Sequence, residues 1–382
     1  MTATAIETTE MVRDRVRDAR ASRTPLRIVG CGTWLDAGRA VRATATLSTR
    51  DLNGIVAYVP GDLTMTARAG TTLAEIREAT AVHNQWLALD PHGTDDTTLG
   101  ATVSTASAGP LSTTFGTPRD LVLGVEFVTG MAAIARGGGR VVKNVAGFDL
   151  ARLLTGSWGT LAVLTEITVR LHAKPAVDVS LAVPLSGSST ALRNIGEWLR
   201  TQVFTPYSCE FVNDALAAKL AGVSSAAAIF RLGGNEDAVV AQRQAVETLG
   251  AAHEVDASIW TALRGAEPKD AIVIRYSRQP SDIAQTWTEV DTLARDIPGA
   301  LMHARPARGI VRLILPSSDA AISQLRTRLT SGAPVKRVGE RLPAALWQVL
   351  APRPTADALS TRIKQAFDPD SVLNPGILGE PT

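Results

Sequence analysis

Cysteine is scarce in this chain. Its 382 residues include two, Cys31 and Cys209, with no CxxC pair. A four-cysteine iron–sulfur cluster or zinc site is therefore not encoded, and no metal ligands are assigned. So little cysteine also predicts a reducing compartment. Net charge is almost absent: 39 Lys and Arg against 37 Asp and Glu leave +2. A field this weak argues against a nucleic-acid partner or an anionic membrane surface. No stretch reaches 18 consecutive apolar residues, so no membrane-spanning helix is expected. Residues Met1 to Pro25 are polar and charged and lack an apolar h-region, which predicts no secretory signal.

What is present is an ordinary globular composition, 45% hydrophobic and 20% charged, long enough for two or three domains. Glu7 to Ser22 reads as a charged helix with Met11, Val12, Val16 and Ala19 on one side, stopped by Pro25. Strands are expected at Leu26–Val29, Gly54–Val59, Leu63–Arg68, Val122–Thr129 and Thr160–Leu171. Thr72 and Glu75 form a capping-box pattern that opens a helix to about Asn84. Between Pro91 and Pro118 the chain turns to Gly, Thr, Ser and Ala. A segment this long without a core pattern is usually functional or disordered, and its structured flanks argue for function. After Pro175 the order strand, helix, strand, strand, helix, strand occurs twice. This is the split βαβ, ferredoxin-like alternation, expected to lay its helices on one face of a mixed sheet.

Three small-residue segments hold the candidate chemistry. The first, Gly30-Cys31-Gly32-Thr33-Trp34, follows a strand, and its glycines can bring bare N–H groups to a phosphate. The dinucleotide fingerprint needs a third glycine where Leu35 stands, so a nicotinamide-type Rossmann site is disfavoured. The second runs from Thr97, Thr98, Leu99 and Gly100 through Ser104 to Gly109, offering hydroxyl donors and close approach. A small-residue helix packed on a sheet fits it equally well. The third is Lys143-Asn144-Val145-Ala146-Gly147-Phe148-Asp149, followed by Gly156-Ser157-Trp158-Gly159, where turn chemistry alone is a sufficient account.

The order and spacing of these segments, with Leu373-Asn374-Pro375-Gly376 near the end, resemble the vanillyl-alcohol oxidase/p-cresol methylhydroxylase superfamily of FAD-binding oxidoreductases. The family's G-x-G-T loop matches Gly30, Gly32 and Thr33. Its T-I-G-G segment matches Thr98, Leu99 and Gly100, with Ala101 in place of the second glycine. Phe115-Gly116 with Asp120, Gly156-Ser157 with Gly159, and Leu373 to Gly376 complete the set. Within the superfamily, Val142 to Leu150 and Ala67 to Glu75 are similar to the E-subunit family of bacterial glycolate oxidases.

The resemblance implies an α+β fold: a two-subdomain FAD-binding domain of the p-cresol methylhydroxylase type and a ferredoxin-like α+β cap. The expected divisions are an N-terminal helix at 1–24, the FAD domain at 25–175, the cap at 176–350 and a returning segment at 355–382. Gly30, Cys31, Gly32, Thr33 and Trp34 would wrap the pyrophosphate. Thr97, Thr98, Leu99, Gly100, Ser104 and Gly109 would continue toward the flavin ring. Gly159 precedes the strand in which Val163 would present its backbone to the adenine, and Asn374 would approach the ring side.

Some relatives carry a flavin-linked histidine where Thr33 stands, so the FAD is expected to be non-covalent. The implied partners are the other subunits of a glycolate oxidase-like complex, one of them an iron–sulfur protein, and a small-molecule substrate. The implied location is cytoplasmic, peripheral at the inner membrane through a partner. A non-catalytic flavin relay, or a stand-alone oxidase of another alcohol or sugar acid, remains compatible. Hydroxyacid-oxidising relatives carry an H-x-x-D-G-N-x-H motif. The five histidines here, His83, His92, His172, His253 and His303, do not have that spacing, and no catalytic residue is assigned.

Overall fold

The computed structural model describes residues 5–139, 148–185, 189–330, 337–350 and 357–379. The Lys143 to Gly147 part of the third segment lies outside them. The first helix, Thr9–Ala21, is capped by the Thr8 side chain and buries Val12, Val16 and Ala19. Each buried valine supplies roughly 1.5–3 kcal/mol. They pack on Leu26, Leu47, Val128 and Val163 and on Val372 and Leu373 from the far end of the chain.

Leu26–Val29 pairs in parallel with Ala45–Ser48, a strand that the sequence pattern did not announce. Behind this pair stands a five-stranded sheet. Its order is Ile55–Val59, Thr64–Arg68, Ala162–Arg170, Val122–Thr129 and Ile134–Gly138, all antiparallel. The capping box at Thr72 and Glu75 forms and opens the helix Leu73–Ala81. The Gly/Thr/Ser/Ala stretch is not a plain loop. Thr98 caps a short helix, Leu99–Thr105, packed on the sheet.

The two βαβ-type rounds join into one eight-stranded sheet. The first contributes the order His253–Val255, Val177–Pro184, Ala227–Gly234, Ser208–Val212. The second continues with Leu301–Arg305, Ile310–Leu315, Ile272–Ser277, Arg337–Arg341. The halves meet through Ser208–Val212 and Leu301–Arg305. Every pairing is antiparallel, not mixed. Each crossover helix returns the chain in its starting direction, but a strand of opposite direction fills the gap between the two. Helices Ser189–Thr201, Glu236–Glu247, Ile283–Ala294 and Asp319–Thr330 cover one face. The other face turns partly toward the first domain.

The chain then returns. Asp368 is fully buried and accepts bonds from Val372 N–H and Leu373 N–H at 2.9 Å each and from Lys364 Nζ at 2.7 Å. A Cβ on Gly130 would collide with its carboxylate. Asp368→Ala should lower the unfolding free energy by about 3 kcal/mol, because it strands two buried amides and breaks the ion pair with Lys364. Urea denaturation measures this. A loss below about 1 kcal/mol would show that the return is anchored elsewhere.

Candidate functional site

The turn after Leu26–Val29 leaves its backbone donors uncommitted. None of the N–H groups of Gly30, Cys31, Gly32, Thr33 and Trp34 donates to a protein acceptor among the described residues. Gly32 has φ +82°, where a side chain is strained. A Cβ on Gly30 would stand 2.6 Å from Thr98 Oγ1. Thr98 is fixed there because the same oxygen caps its helix, accepting from Ala101 N–H at 3.1 Å. Thr33 Oγ1 donates to Thr97 Oγ1 at 3.1 Å, tying the turn to that helix start. Gly100 approaches the chain at Ala69, whose carbonyl accepts its N–H at 2.8 Å; an added Cβ would be just as close to that oxygen.

The opposite wall is Gly156 to Gly159. Trp158 has φ +55°, an outlier for a bulky residue that costs about 1–3 kcal/mol. It is pinned at both ends of its backbone: its N–H donates to Ser104 O at 2.8 Å, and its carbonyl accepts from Asn374 Nδ2 at 2.8 Å. Asn374 Oδ1 in turn accepts from Ile28 N–H at 2.8 Å. The Trp158 indole stands edge-on to Trp34, with centroids 6.2 Å apart.

Between these walls lies a cleft of about 750 Å³. Of the sequence-predicted residues, Gly30, Gly32, Thr33, Trp34, Gly100, Ser104, Gly159, Val163 and Asn374 line it. Thr97, Thr98 and Leu99 are buried directly behind it. Cys31 is half-buried, and burial raises its thiol pKa. Gly109 stands apart, so close to the Asp90 carbonyl that a Cβ would not fit.

A second cavity of about 850 Å³ adjoins the cleft through three shared residues, Trp34, Thr105 and Trp158. Its far wall is the open face of the cap sheet. Strand alternation aims Arg275, Arg305 and Arg312 into it, and Arg308 stands at its rim. Arg305 and Arg312 are buried and paired. Arg305 Nε is 2.7 Å from Glu210; Arg312 is 2.7 Å from Glu267 and 2.5 Å from Glu340; Arg275 Nε is 2.9 Å from Glu340. Burial would raise the Glu340 pKa, but Arg312 and Arg275 outweigh it and hold the carboxyl below the ordinary range. Four guanidinium groups face the carboxylates of Glu210, Glu267 and Glu340, and Arg308 has no ion-pair partner among the described residues. Arg341 links this network to the glycine turn. It bonds Asp36 at 3.2 Å, reaches Glu267 at 3.7 Å, donates to Thr33 O at 3.3 Å and lies over Trp34.

Sequence reasoning missed this wall. It also treated the histidines as isolated, whereas His92 and His303 lie together with ring centroids 5.6 Å apart. The signal was a polar side chain at both His303 and Arg305, every second position of the strand Leu301–Arg305.

A family model described as an FAD binding domain matches residues 3–138. Over 287 residues the chain is 37% identical to glycolate oxidase subunit GlcE of Escherichia coli (strain K12), covering 75% of each chain. The chain belongs to this family of FAD-binding oxidoreductases. FAD is its cofactor. D-lactate dehydrogenase of Archaeoglobus fulgidus is 27% identical over 337 residues, 81% of this chain and 75% of that one. The fold matches p-cresol methylhydroxylase with substrate bound, at a TM-score of 0.76 and 15% identity over 98% of this chain and 88% of that one. No helix among the described residues is long and apolar enough to cross a membrane.

Asn374→Ala should cost about 2 kcal/mol, since it leaves Ile28 N–H and Trp158 C=O without partners. Chemical denaturation reads the loss. Unchanged stability would mean that water replaces both bonds.

Proposed function

We propose that the chain is the flavin-carrying subunit of a complex that oxidises a 2-hydroxyacid to the 2-ketoacid and passes electrons to an iron–sulfur partner. FAD would sit without a covalent bond in the glycine-lined cleft. The donor set suits it: five backbone amides with no protein acceptor among the described residues, and glycines where a Cβ would block the approach. Gly30 to Trp34 would hold the phosphates, with Thr97 to Leu99 fixing the turn from behind. Gly100 and Ser104 would flank the path toward the ring, Val163 the adenine end, and Asn374 the ring side. Bound flavin takes up two electrons and a hydrogen from an alcohol carbon.

One observation carries the substrate class. The cavity adjoining the cleft is walled by arginines, and Arg308 at its rim has no ion-pair partner among the described residues. A small carboxylate is the ligand such a wall selects. The names of the relatives, glycolate oxidase and D-lactate dehydrogenase, agree with that class. A subunit-type relative and a sequence with no cysteine cluster pattern of its own support an iron–sulfur partner. The missing H-x-x-D-G-N-x-H motif favours a second reading, in which a sister subunit oxidises the substrate and this chain only relays electrons.

Three measurements test the proposal. The purified chain should show flavin absorbance, and Gly32→Asp should abolish it, because the carboxylate crowds and repels the pyrophosphate; full flavin content in that variant refutes the turn assignment. Anaerobic glycolate or D-lactate should bleach the flavin of the isolated chain. No bleaching, with bleaching restored by a co-purified sister subunit, selects the relay reading. Arg308→Met should raise KM about tenfold or more and leave flavin content intact.

A further inference from the structure

Glu210 is fully buried in the cap strand Ser208–Val212, with no solvent and two partners. Its Oε1 accepts from Arg305 Nε at 2.7 Å, and its Oε2 lies 2.9 Å from His303 Nδ1. Burial would raise its pKa. The Arg305 guanidinium and His303 overcome that and hold the carboxyl below the ordinary range, so it is a carboxylate. A carboxylate only accepts, so His303 Nδ1 carries the ring proton. The other nitrogen, Nε2, is left outside this pairing. That nitrogen is buried and has no partner.

The neighbouring ring is His92, whose Nδ1 is also buried without a partner. His92 forms part of the lining of the arginine cavity and is 6% exposed. Burial, and then the charges of Arg312, His303, Arg305 and Arg264, push its pKa well below the ordinary histidine value. The ring is therefore held neutral. Two buried imidazoles with unmet nitrogens are costly unless a ligand or a moving proton uses them.

We propose that His92 is the catalytic base of this chain and that Glu210 and His303 are positioning residues behind it, forming a relay that takes the substrate hydroxyl proton. The proposal rests on the 2-hydroxyacid reading above. In the step, the Cα–H bond breaks and its hydrogen leaves with both electrons for oxidised flavin. The O–H bond breaks, its proton goes to His92, and the oxygen electron pair closes the new C=O. His92 then carries the proton as an imidazolium beside the Glu210–His303 pair.

The test uses the full chain loaded with FAD. His92→Gln should slow anaerobic flavin reduction by glycolate or D-lactate at least about 100-fold at saturating substrate. Binding of oxalate, followed by the shift of the flavin spectrum, should stay within threefold. Exogenous imidazole should restore reduction in His92→Ala. Glu210→Gln should slow reduction less than His92→Gln. Separately, ¹⁵N spectra of the histidine rings should show one ring locked as Nδ1–H, and that lock should vanish in Glu210→Gln.

Reduction of His92→Gln at the wild-type rate, in a chain that wild-type controls show to be reducible, overturns the relay alone. A wild-type chain that binds oxalate but is bleached by no 2-hydroxyacid overturns the parent reading and the relay with it. An unlocked His303 ring in the wild type overturns the roles given to Glu210 and His303. If His92→Gln loses its flavin, His92→Asn and the imidazole rescue carry the same comparison; no rescue together with wild-type reduction in His92→Asn rejects the base.

Discussion

The side chain of Asn374 holds together the three pieces that make the cleft. One amide group accepts from Ile28, just before the glycine turn, and donates to Trp158, on the facing wall. It sits at φ +42°, a conformation asparagine tolerates better than most residues, and the buried Asp368 anchors the segment that delivers it. Without that clamp, the parallel pair Leu26–Val29 and Ala45–Ser48 would be a two-stranded ribbon of four residues each, too short to be stable alone.

Electrostatics performs the corresponding job between the domains. Asp36, Arg341, Glu267, Arg312, Glu340 and Arg275 form one chain of ion pairs from the glycine turn to the last three strands at one edge of the cap sheet. Buried pairs contribute little net stability because desolvation offsets attraction. Their value here is placement. A hydrophobic seam would tolerate sliding, whereas alternating charges with fixed hydrogen bonds set one register between cap and cleft.

Much of the fold was legible from local rules. The capping box at Thr72 and Glu75 gave the helix start, and Val122–Thr129 matches the expected strand. Ala45–Ser48 was invisible because its short, half-exposed strand has no apolar alternation. The glycine turn was legible because backbone geometry is written in glycine. The His92, His303 and Glu210 group was not, because it forms only when a loop of the first domain meets a sheet of the second. Nothing local distinguishes such residues from stray polar ones. The alternation of Met302, His303, Ala304 and Arg305 did hold a hint: two polar side chains on one face of a buried strand need something to face.

The clamp at Asn374 also imposes a timetable. Ile28 and the residue that secures it are 346 positions apart. At about 5–20 residues per second, a ribosome needs roughly 20–70 s to cover that distance. For all of that time the turn and its facing wall lack the side chain that joins them. A stable cradle therefore has to wait for the return segment, and a growing chain must keep its half-built turn from pairing with something else.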